Sequence, residues 1–183
     1  MHAAAFWHAS SSRIVVGLGE GYYQLPEDWW AINPATKAWK QLAAPANGPK
    51  PRKAPAVVAD GTGGAWIYGG QGYWDVYSDL WHITVVGDAV QAKELSLLPA
   101  PPLPLLRGCL TQTAKGLLLA GGETFYRLSD EVFRIDTASG KWTAGKGPAS
   151  AGPVCHVRAD GQVVVQLGQG YWQWTQAPVV IAP

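Results

Sequence analysis

Charged residues are scarce in this sequence, and the two signs nearly cancel. Only 15% of the 183 residues are charged, with 14 Lys and Arg against 13 Asp and Glu, so the formal net charge is +1. A nearly neutral chain has no long-range field to attract a phosphate backbone or an anionic membrane. The one small basic cluster, Lys50, Arg52 and Lys53 among prolines, is typical of a solvated loop. We therefore expect no nucleic acid partner and no membrane partner.

Long apolar segments are also absent. No stretch reaches the roughly 18 uninterrupted apolar residues that indicate a membrane-spanning helix. The start of the chain, residues 1–13, lacks the basic segment and the apolar core of a secretory signal. The hydrophobic content of 48% is that of a folded globular domain. These observations predict a soluble, cytoplasmic protein.

Cysteine is rare, and the residue patterns of several enzyme classes are missing. Cys109 and Cys155 are the only cysteines, and neither has the Cys-x-x-Cys or Cys/His spacing of a structural zinc site. Two thiols in a chain of this length suggest a reducing compartment or indifference to redox conditions. The sequence also has no Ser/His/Asp set, phosphate-binding loop or metal cluster. We predict no catalytic residues, no metal and no cofactor.

The sequence does contain a repeat of about 50 residues. The segment GEGYYQLPEDWW, residues 19–30, aligns without a gap with GQGYWDVYSDLW, residues 70–81, at an offset of 51. A third copy, GETFYRLSDEVF, occupies residues 122–133, and a shorter fourth, GQGYW, occupies residues 168–172. A fixed period of this length is typical of repeat architectures, in which each copy is one supersecondary unit.

Each full copy is predicted to form four antiparallel strands. A short apolar run precedes every repeated glycine, as in buried strands, and Asp60-Gly61 and Asp160-Gly161 upstream of two of these runs indicate hairpins. A third run carries a large aromatic residue, and the turn after it leads to Trp39 in copy one and Trp142 in copy three. Four-stranded sheets repeated about an axis are propeller blades, so the predicted fold class is all-β, a β-propeller or partial propeller.

These features resemble the kelch motif over nearly the whole chain. That motif combines an apolar strand, a double glycine, an aromatic residue after an acidic one, and a spaced tryptophan. Gly69-Gly70 and Gly121-Gly122 supply the double glycine, and Asp79 and Glu131 supply the acid. Copies one and four depart from the motif, because a leucine precedes the single glycine there. The resemblance to kelch-repeat β-propellers implies one repeat domain over residues 1–183.

The strand count predicts an incomplete last blade. We place the blades at about residues 3–43, 52–98, 106–145 and 152–183, and the last lacks its outer strand, which leaves about fifteen strands. Kelch-type propellers usually have more than four blades, and an unclosed one leaves apolar faces and strand edges in water. We expect self-association, or a partner that completes the ring. A fragment of a longer protein and a compact four-bladed ring are the alternatives.

The loop between the second and third strands carries an aromatic pair flanked by polar residues in every copy. Equivalent loops lie on one face of a propeller, and aromatic rings beside hydrogen-bonding side chains suit sugar rings or peptide segments. Because adjacent residues usually point in different directions, we expect one residue of each pair to face a ligand and the other to pack inward. The alternative is that the pairs are wedges that hold the loops down. The predicted ligand-binding residues are Glu20, Tyr23, Trp74, Asp75, Glu123, Tyr126, Arg127 and Trp172.

Two other groups of polar residues are interpreted as structural. Asp75, Asp79 and His82 lie close in sequence, but three ligands on one strand seldom converge on a metal ion. Cys155 and His156 are adjacent on a predicted first strand, so their side chains point to opposite faces and cannot act together as nucleophile and base. We interpret them, with Cys109, as small residues that line the central channel.

The leading functional hypothesis is a non-enzymatic binding module. The kelch resemblance implies recognition of a protein or peptide through the loop-bearing face of the propeller. The alternative is a carbohydrate-directed protein, either lectin-like or a sugar mutarotase or epimerase similar to bacterial kelch-like sialate enzymes. That alternative would use Glu20, Glu123, Asp75 and Arg127 for acid, base and anion-binding roles.

Overall fold

Four antiparallel sheets follow one another along the chain in the computed structural model, which describes residues 2–147, 149–166, 168–170 and 177–181. The first three sheets have four strands each and the last has three, so the prediction of an all-β propeller with an incomplete fourth blade is confirmed. Blades 1 and 2 consist of β1 (Ala4–His8), β2 (Arg13–Gly17), β3 (Trp29–Ile32), β4 (Trp39–Leu42), β5 (Ala56–Ala59), β6 (Ala65–Tyr68), β7 (Leu80–Val86) and β8 (Ala89–Leu95). Blades 3 and 4 consist of β9 (Cys109–Thr113), β10 (Gly116–Ala120), β11 (Glu131–Ile135), β12 (Trp142–Lys146), β13 (Val154–Val157), β14 (Val163–Gln166) and β15 (Val179–Ile181).

Each sheet is a meander in which strands that are neighbours in sequence pair antiparallel. The hairpins between first and second strands and between third and fourth strands therefore lie at one end of every blade. The loops between second and third strands lie at the other end, which we call the loop-bearing face. A short 3-10 turn, Ala9–Ser11, connects β1 to β2 in blade 1. No helix among the described residues is long and apolar enough to cross a membrane.

The repeated glycines join each blade to the segment that leads into the next one. The backbone N–H of Gly70 donates to Leu105 O at 2.8 Å, and the equivalent N–H of Gly122 donates to Ser150 O at 2.7 Å. The preceding Gly69 has a φ of +61°, and a Cβ there would lie 2.2 Å from Leu105 O. A side chain does not fit so close to a backbone carbonyl, which explains the glycine at this junction.

Apolar cores fill the spaces between blades. We call the side of a blade that packs on the next blade its front face, and the side that packs on the preceding blade its back face. Phe6 and Trp29 from the front face of blade 1 meet Ile67 and Ile83 from the back face of blade 2. Two equivalent cores join blade 2 to blade 3 and blade 3 to blade 4. Among the described residues, no apolar core joins blade 4 to blade 1.

Arg52, which the sequence places in a solvated basic cluster, is fully buried. Its guanidinium forms a two-point ion pair with Asp79, whose Oδ2 lies 2.8 Å from Arg52 Nη2. It also donates to Gly69 O at 2.9 Å and to Lys50 O at 2.8 Å, and it lies 4.2 Å from the ring centre of Tyr77. The expectation of a solvated loop is therefore wrong for this residue, because the acid of the repeat motif supplies a counter-ion inside the fold.

Cys109 and Cys155 form a disulfide between the first strands of blades 3 and 4. The two Cα atoms are 5.9 Å apart, since Cys109 lies on the front face of blade 3 and Cys155 lies on the back face of blade 4. The interpretation of these cysteines as two thiols is therefore wrong. His156 points away from this interface and is exposed. Disulfides are typical of oxidising compartments, and the cytoplasmic location stays a prediction.

Candidate functional site

In each of the first three blades, the loop on the loop-bearing face contains the same kind of tight turn at its tip. The N–H at the start of each turn donates to the carbonyl three residues later: Gly21 to Gln24 at 2.8 Å, Gly72 to Asp75 at 2.8 Å and Thr124 to Arg127 at 2.9 Å. The aromatic pair occupies the two central positions of every turn, so both rings project from its tip. We call these side chains the aromatic crown: Tyr22, Tyr23, Tyr73, Trp74, Phe125 and Tyr126.

Both members of every described pair are exposed, from 51% for Phe125 to 93% for Tyr126. The expectation that one of each pair packs inward is therefore wrong. Side chains alternate along an extended strand, but the central residues of a tight turn both point away from the blade. Neither ring of these pairs is packed as an inward wedge. Tyr171 and the predicted site residue Trp172 lie outside the described residues.

Tyr73 also links two neighbouring loops. Its hydroxyl oxygen accepts a hydrogen bond of 2.9 Å from the backbone N–H of Leu25 in blade 1. Within blade 1, the rings of Tyr22 and Tyr23 contact each other edge to face, with their centres 4.2 Å apart. These contacts limit the motion of the aromatic crown, which lowers the entropic cost of binding through it.

The two predicted glutamates are each paired with a cation at a blade junction. Lys53 Nζ lies 2.7 Å from Glu20 Oε1, and Arg107 Nη1 lies 3.0 Å from Glu123 Oε1. The hydrogen bond from Lys53 lowers the pKa of Glu20 below its ordinary value. Sequence reasoning missed Arg107 and assigned Lys53 to a solvated cluster. Lys53 and Arg107 both lie immediately before a predicted first strand, and this shared position is the feature of the sequence that could have identified them.

Two equivalent clefts open between the loops of adjacent blades. The first, of about 280 Å³, lies between blades 1 and 2, and the second, of about 240 Å³, lies between blades 3 and 4. Each combines an ion-paired Glu with a Gln from the loop of the following blade, Gln71 or Gln169. Tyr23 and Tyr73 line the first cleft, whereas Arg127 lines the second. The predicted residues Glu20 and Tyr23 thus come together, as do Glu123 and Arg127.

Asp75 lines a different and larger groove of about 610 Å³ on the outer side of blade 2. Glu94, Lys50 and Trp81 share this groove. Asp79 also lies there, but its carboxylate accepts from Arg52 and, at 2.6 Å, from the indole N–H of Trp81. The groove therefore keeps Asp75 and Glu94 as its exposed acids, and it favours a cationic or hydrogen-bond-donating group.

The electrostatics of the first cleft do not favour Glu20 as a general acid. A general acid needs a pKa raised towards the operating pH, whereas Lys53 lowers the pKa of Glu20. The ion pairs also neutralise both glutamates. The first cleft therefore offers Gln71 beside Tyr23 and Tyr73 without a net charge, whereas Arg127 leaves the second cleft with a net positive charge.

Asp75, Asp79 and His82 do not converge on one point. His82 Nε2 bonds to Asp60 Oδ2 at 2.7 Å, at the hairpin end of blade 2, while Asp79 is held by Arg52. The imidazole also stacks on Trp66, with ring centres 4.4 Å apart. No group of three potential metal ligands occurs in the part of the chain that the structure describes.

Asp60 makes the hairpin between β5 and β6 sensitive to acid. Burial raises the pKa of Asp60, but hydrogen bonds from His82, Thr62 and Gly64 outweigh that effect and lower it from 3.8 to about 2. A folded pKa below the unfolded one stabilises the protein above about pH 4, and the contribution is lost as the pH falls towards 2. We expect Asp60→Asn to cost about 2 kcal/mol at neutral pH, and we expect the difference from wild type to shrink between pH 4 and pH 2 in denaturant unfolding.

Asp160→Asn is the matched control for Asp60→Asn. Asp160 occupies the corresponding turn of blade 4, where its Oδ1 accepts from Gln162 N at 3.0 Å, but its side chain is exposed. We expect a change below about 0.5 kcal/mol, as for most surface substitutions. Equal effects of the two substitutions at neutral pH would contradict the role given to Asp60.

No known protein family matches the sequence, and no curated protein matches it. The chain is similar in structure to YjhT, with a TM-score of 0.80 and 12% sequence identity. The match covers 100% of this chain and 66% of the YjhT chain, so this chain spans less than two thirds of the length of its structural neighbour. A likeness at this identity shows the propeller fold alone, and membership of the kelch family stays a prediction.

Proposed function

We propose that this protein is a non-enzymatic binding module that recognises a protein or peptide through its loop-bearing face. The observation that carries the proposal is the aromatic crown, in which both rings of three successive loops are more than half exposed. Exposed aromatic clusters of this kind are costly in water and are typical of interaction sites. Tyr and Trp also supply a large contact area at a low cost in side-chain entropy.

The exposed rings and clefts are spread over several blades, which favours a peptide or protein over a small ligand. The exposed rings belong to three different blades, and the concave features beside them are separate shallow clefts. An extended segment or a folded surface can contact several of these features at once, whereas a small molecule occupies one. Asp75 and Glu94, which line the groove of blade 2, favour a partner that also carries a basic side chain.

The test is a selection of displayed random peptides against the wild-type chain, followed by affinity measurements on the enriched peptides. The variant Tyr23→Ser, Trp74→Ser, Tyr126→Ser should bind them at least tenfold more weakly, since buried aromatic anchors dominate interface energies. Its thermal midpoint should match that of wild type, because the three rings are exposed.

Val86→Ser is the control for this experiment. Val86 is also an exposed apolar residue, but it lies at the hairpin end of blade 2, opposite the aromatic crown. It should leave peptide affinity unchanged. The proposal fails if no peptide is enriched, or if the triple variant binds the enriched peptides as tightly as wild type does.

A carbohydrate ligand is the second candidate, and the cleft between blades 1 and 2 favours it. Tyr23 and Tyr73 face this cleft beside Glu20, Lys53 and Gln71, a combination that suits the faces and hydroxyls of a sugar ring. A glycan array with wild type and Gln71→Ala tests this candidate. Saturable binding of small glycans that Gln71→Ala weakens, without any peptide enrichment, would favour the carbohydrate candidate over the leading one.

A further inference from the structure

The groove on the outer side of blade 2 has a volume of about 610 Å³, more than twice that of either cleft. This volume lies within the range of roughly 300–1,000 Å³ that is typical of ligand sites. Its lining comes from the segments before and after blade 2, from the loop between β6 and β7, and from β7 and β8 themselves. Blade 2 packs on a neighbouring blade at each side, so the groove belongs to a fully packed blade.

Aromatic and apolar side chains form part of this lining. Val76, Tyr77 and Trp81 are half-buried there. The Trp81 indole has a fixed orientation, because its N–H donates to Asp79 Oδ2 at 2.6 Å. A ring that is already held in place offers a stacking surface for a planar cation without a further loss of side-chain entropy. The groove can therefore contact the apolar stem of a long basic side chain as well as its charged head.

The charges that line the groove sum to a negative value. Asp75 and Glu94 are exposed acids, and Lys50 is an exposed cation. Arg52 neutralises Asp79, so two carboxylates stand against one ammonium group. Among the residues that the structure describes, Asp75, Glu94 and Lys50 take part in no ion pair. The two carboxylates are thus available to a cation from a ligand.

These two acids are specific to blade 2. The equivalent positions of the neighbouring blades carry uncharged or basic residues: Gln24 and Arg127 correspond to Asp75, and Gln41 and Ala144 correspond to Glu94. Asp79, in contrast, is the acid of the repeat motif, and its counterpart Asp28 in blade 1 accepts from an indole N–H in the same way. The repeat therefore explains Asp79 but not Asp75 or Glu94.

The protein already holds one guanidinium with the same kinds of group. Arg52 forms a two-point ion pair with Asp79, and it lies 4.2 Å from the ring centre of Tyr77. A carboxylate and an aromatic ring together suit a guanidinium, because they complement both its charge and its flat face. The two exposed carboxylates and the Trp81 indole offer this chemistry again in the groove.

We propose that the groove of blade 2 binds an arginine side chain of the protein or peptide partner, with Asp75 and Glu94 as its counter-ions. Arginine is favoured over lysine because its planar head can contact two carboxylates and stack on a ring, whereas an ammonium group is more strongly hydrated. The inference rests on the proposed function, since the arginine belongs to the segment that contacts the aromatic crown. Asp75 directly follows Trp74 and closes the tight turn that carries it, so one bound segment can contact both features.

The test uses the peptides that display selection enriches on the wild-type chain. These peptides should contain arginine more often than the unselected library does, and replacement of that arginine by citrulline, its uncharged isostere, should weaken binding. The variant Asp75→Asn, Glu94→Gln should bind the arginine peptide about threefold to tenfold more weakly, as for the loss of two exposed ion pairs. It should no longer distinguish arginine from citrulline.

Lys50→Gln should change the affinity in the opposite direction. It removes the competing cation from the groove, so it should bind the arginine peptide about twofold more tightly than wild type does. The control is Asp88→Asn, Asp136→Asn, which removes two exposed acids at the hairpin end of the blades. It should bind both peptides as wild type does, because exposed charges far from the ligand are screened by salt.

The outcomes separate this inference from the proposed function. If the enriched peptides need the aromatic crown but bind equally well with arginine or citrulline, the proposed function stands and the arginine site is overturned. If no peptide is enriched, the proposed function fails, and titration with acetyl-arginine amide tests the groove alone. A shift of the Trp81 indole N–H signal, assigned with Trp81→Phe and absent from Asp75→Asn, Glu94→Gln, would support the site. No shift would overturn it.

Discussion

Reduction of the disulfide between Cys109 and Cys155 is expected to lower the free energy of unfolding by about 4 kcal/mol, the chain-entropy value for a loop of this length. The bond closes a loop with a sequence separation of 46 residues. It also joins β9 to β13, and blade 4 is the blade with the fewest strands. Thermal unfolding with and without reductant measures the effect, and a domain of this size should lose roughly 10 °C in its midpoint.

The control is the variant Cys109→Ser, Cys155→Ser, which should match reduced wild type and show no response to reductant. Because the substituted residues lie on facing strands, both serines keep roughly the shape of the reduced interface. Thiol titration under denaturing conditions without reductant should find no free thiol in wild type. Two titratable thiols, or a midpoint that reductant does not change, would contradict the stabilising role of this bond.

Substitution of the buried Arg52 by Met is expected to destabilise the protein by about 3–5 kcal/mol, the usual cost of removing one partner from a buried ion pair. Asp79 would lose its counter-ion, and the carbonyls of Gly69 and Lys50 would lose their donor. Met retains much of the volume, so the measured loss reports the charge and the hydrogen bonds more than a cavity. Denaturant unfolding of Arg52→Met against wild type measures it.

Two further variants make the Arg52 experiment specific. Lys146→Met breaks an exposed ion pair with Asp130, of 2.9 Å, and should cost less than about 1 kcal/mol. Arg52→Met combined with Asp79→Leu should recover part of the loss, because it removes the carboxylate that Arg52→Met leaves without its counter-ion. If Arg52→Met costs no more than Lys146→Met, the buried guanidinium does not stabilise blade 2 as described.

Most of the architecture followed from the repeat. A period near 50 residues, with glycines and aromatic residues at matching offsets, predicted four sheets and a last blade without its outer strand, and the structure has that arrangement. Strands and turns can be predicted from the sequence because the alternation of side chains along a strand and the residues of a turn depend only on neighbours in sequence.

The contacts between different segments of the chain could not be predicted from the sequence. Cys109 and Cys155 lie in different repeats, and nothing in their local sequence shows that their strands face each other across an interface. Arg52 resembled a solvated residue, since its partner Asp79 lies 27 residues away. For the candidate site, the sequence identified the aromatic pairs but not their direction, and it missed Arg107 as the partner of Glu123.

The sequence by itself determined that this chain is a series of four β-sheet units, and which loops carry aromatic pairs, because both depend on short-range patterns repeated along the chain. Only the tertiary structure decided which faces of the blades pack together and which cation pairs with which acid. Those properties depend on the angle and distance between sheets, which are set by side chains about one repeat apart and not by any one segment.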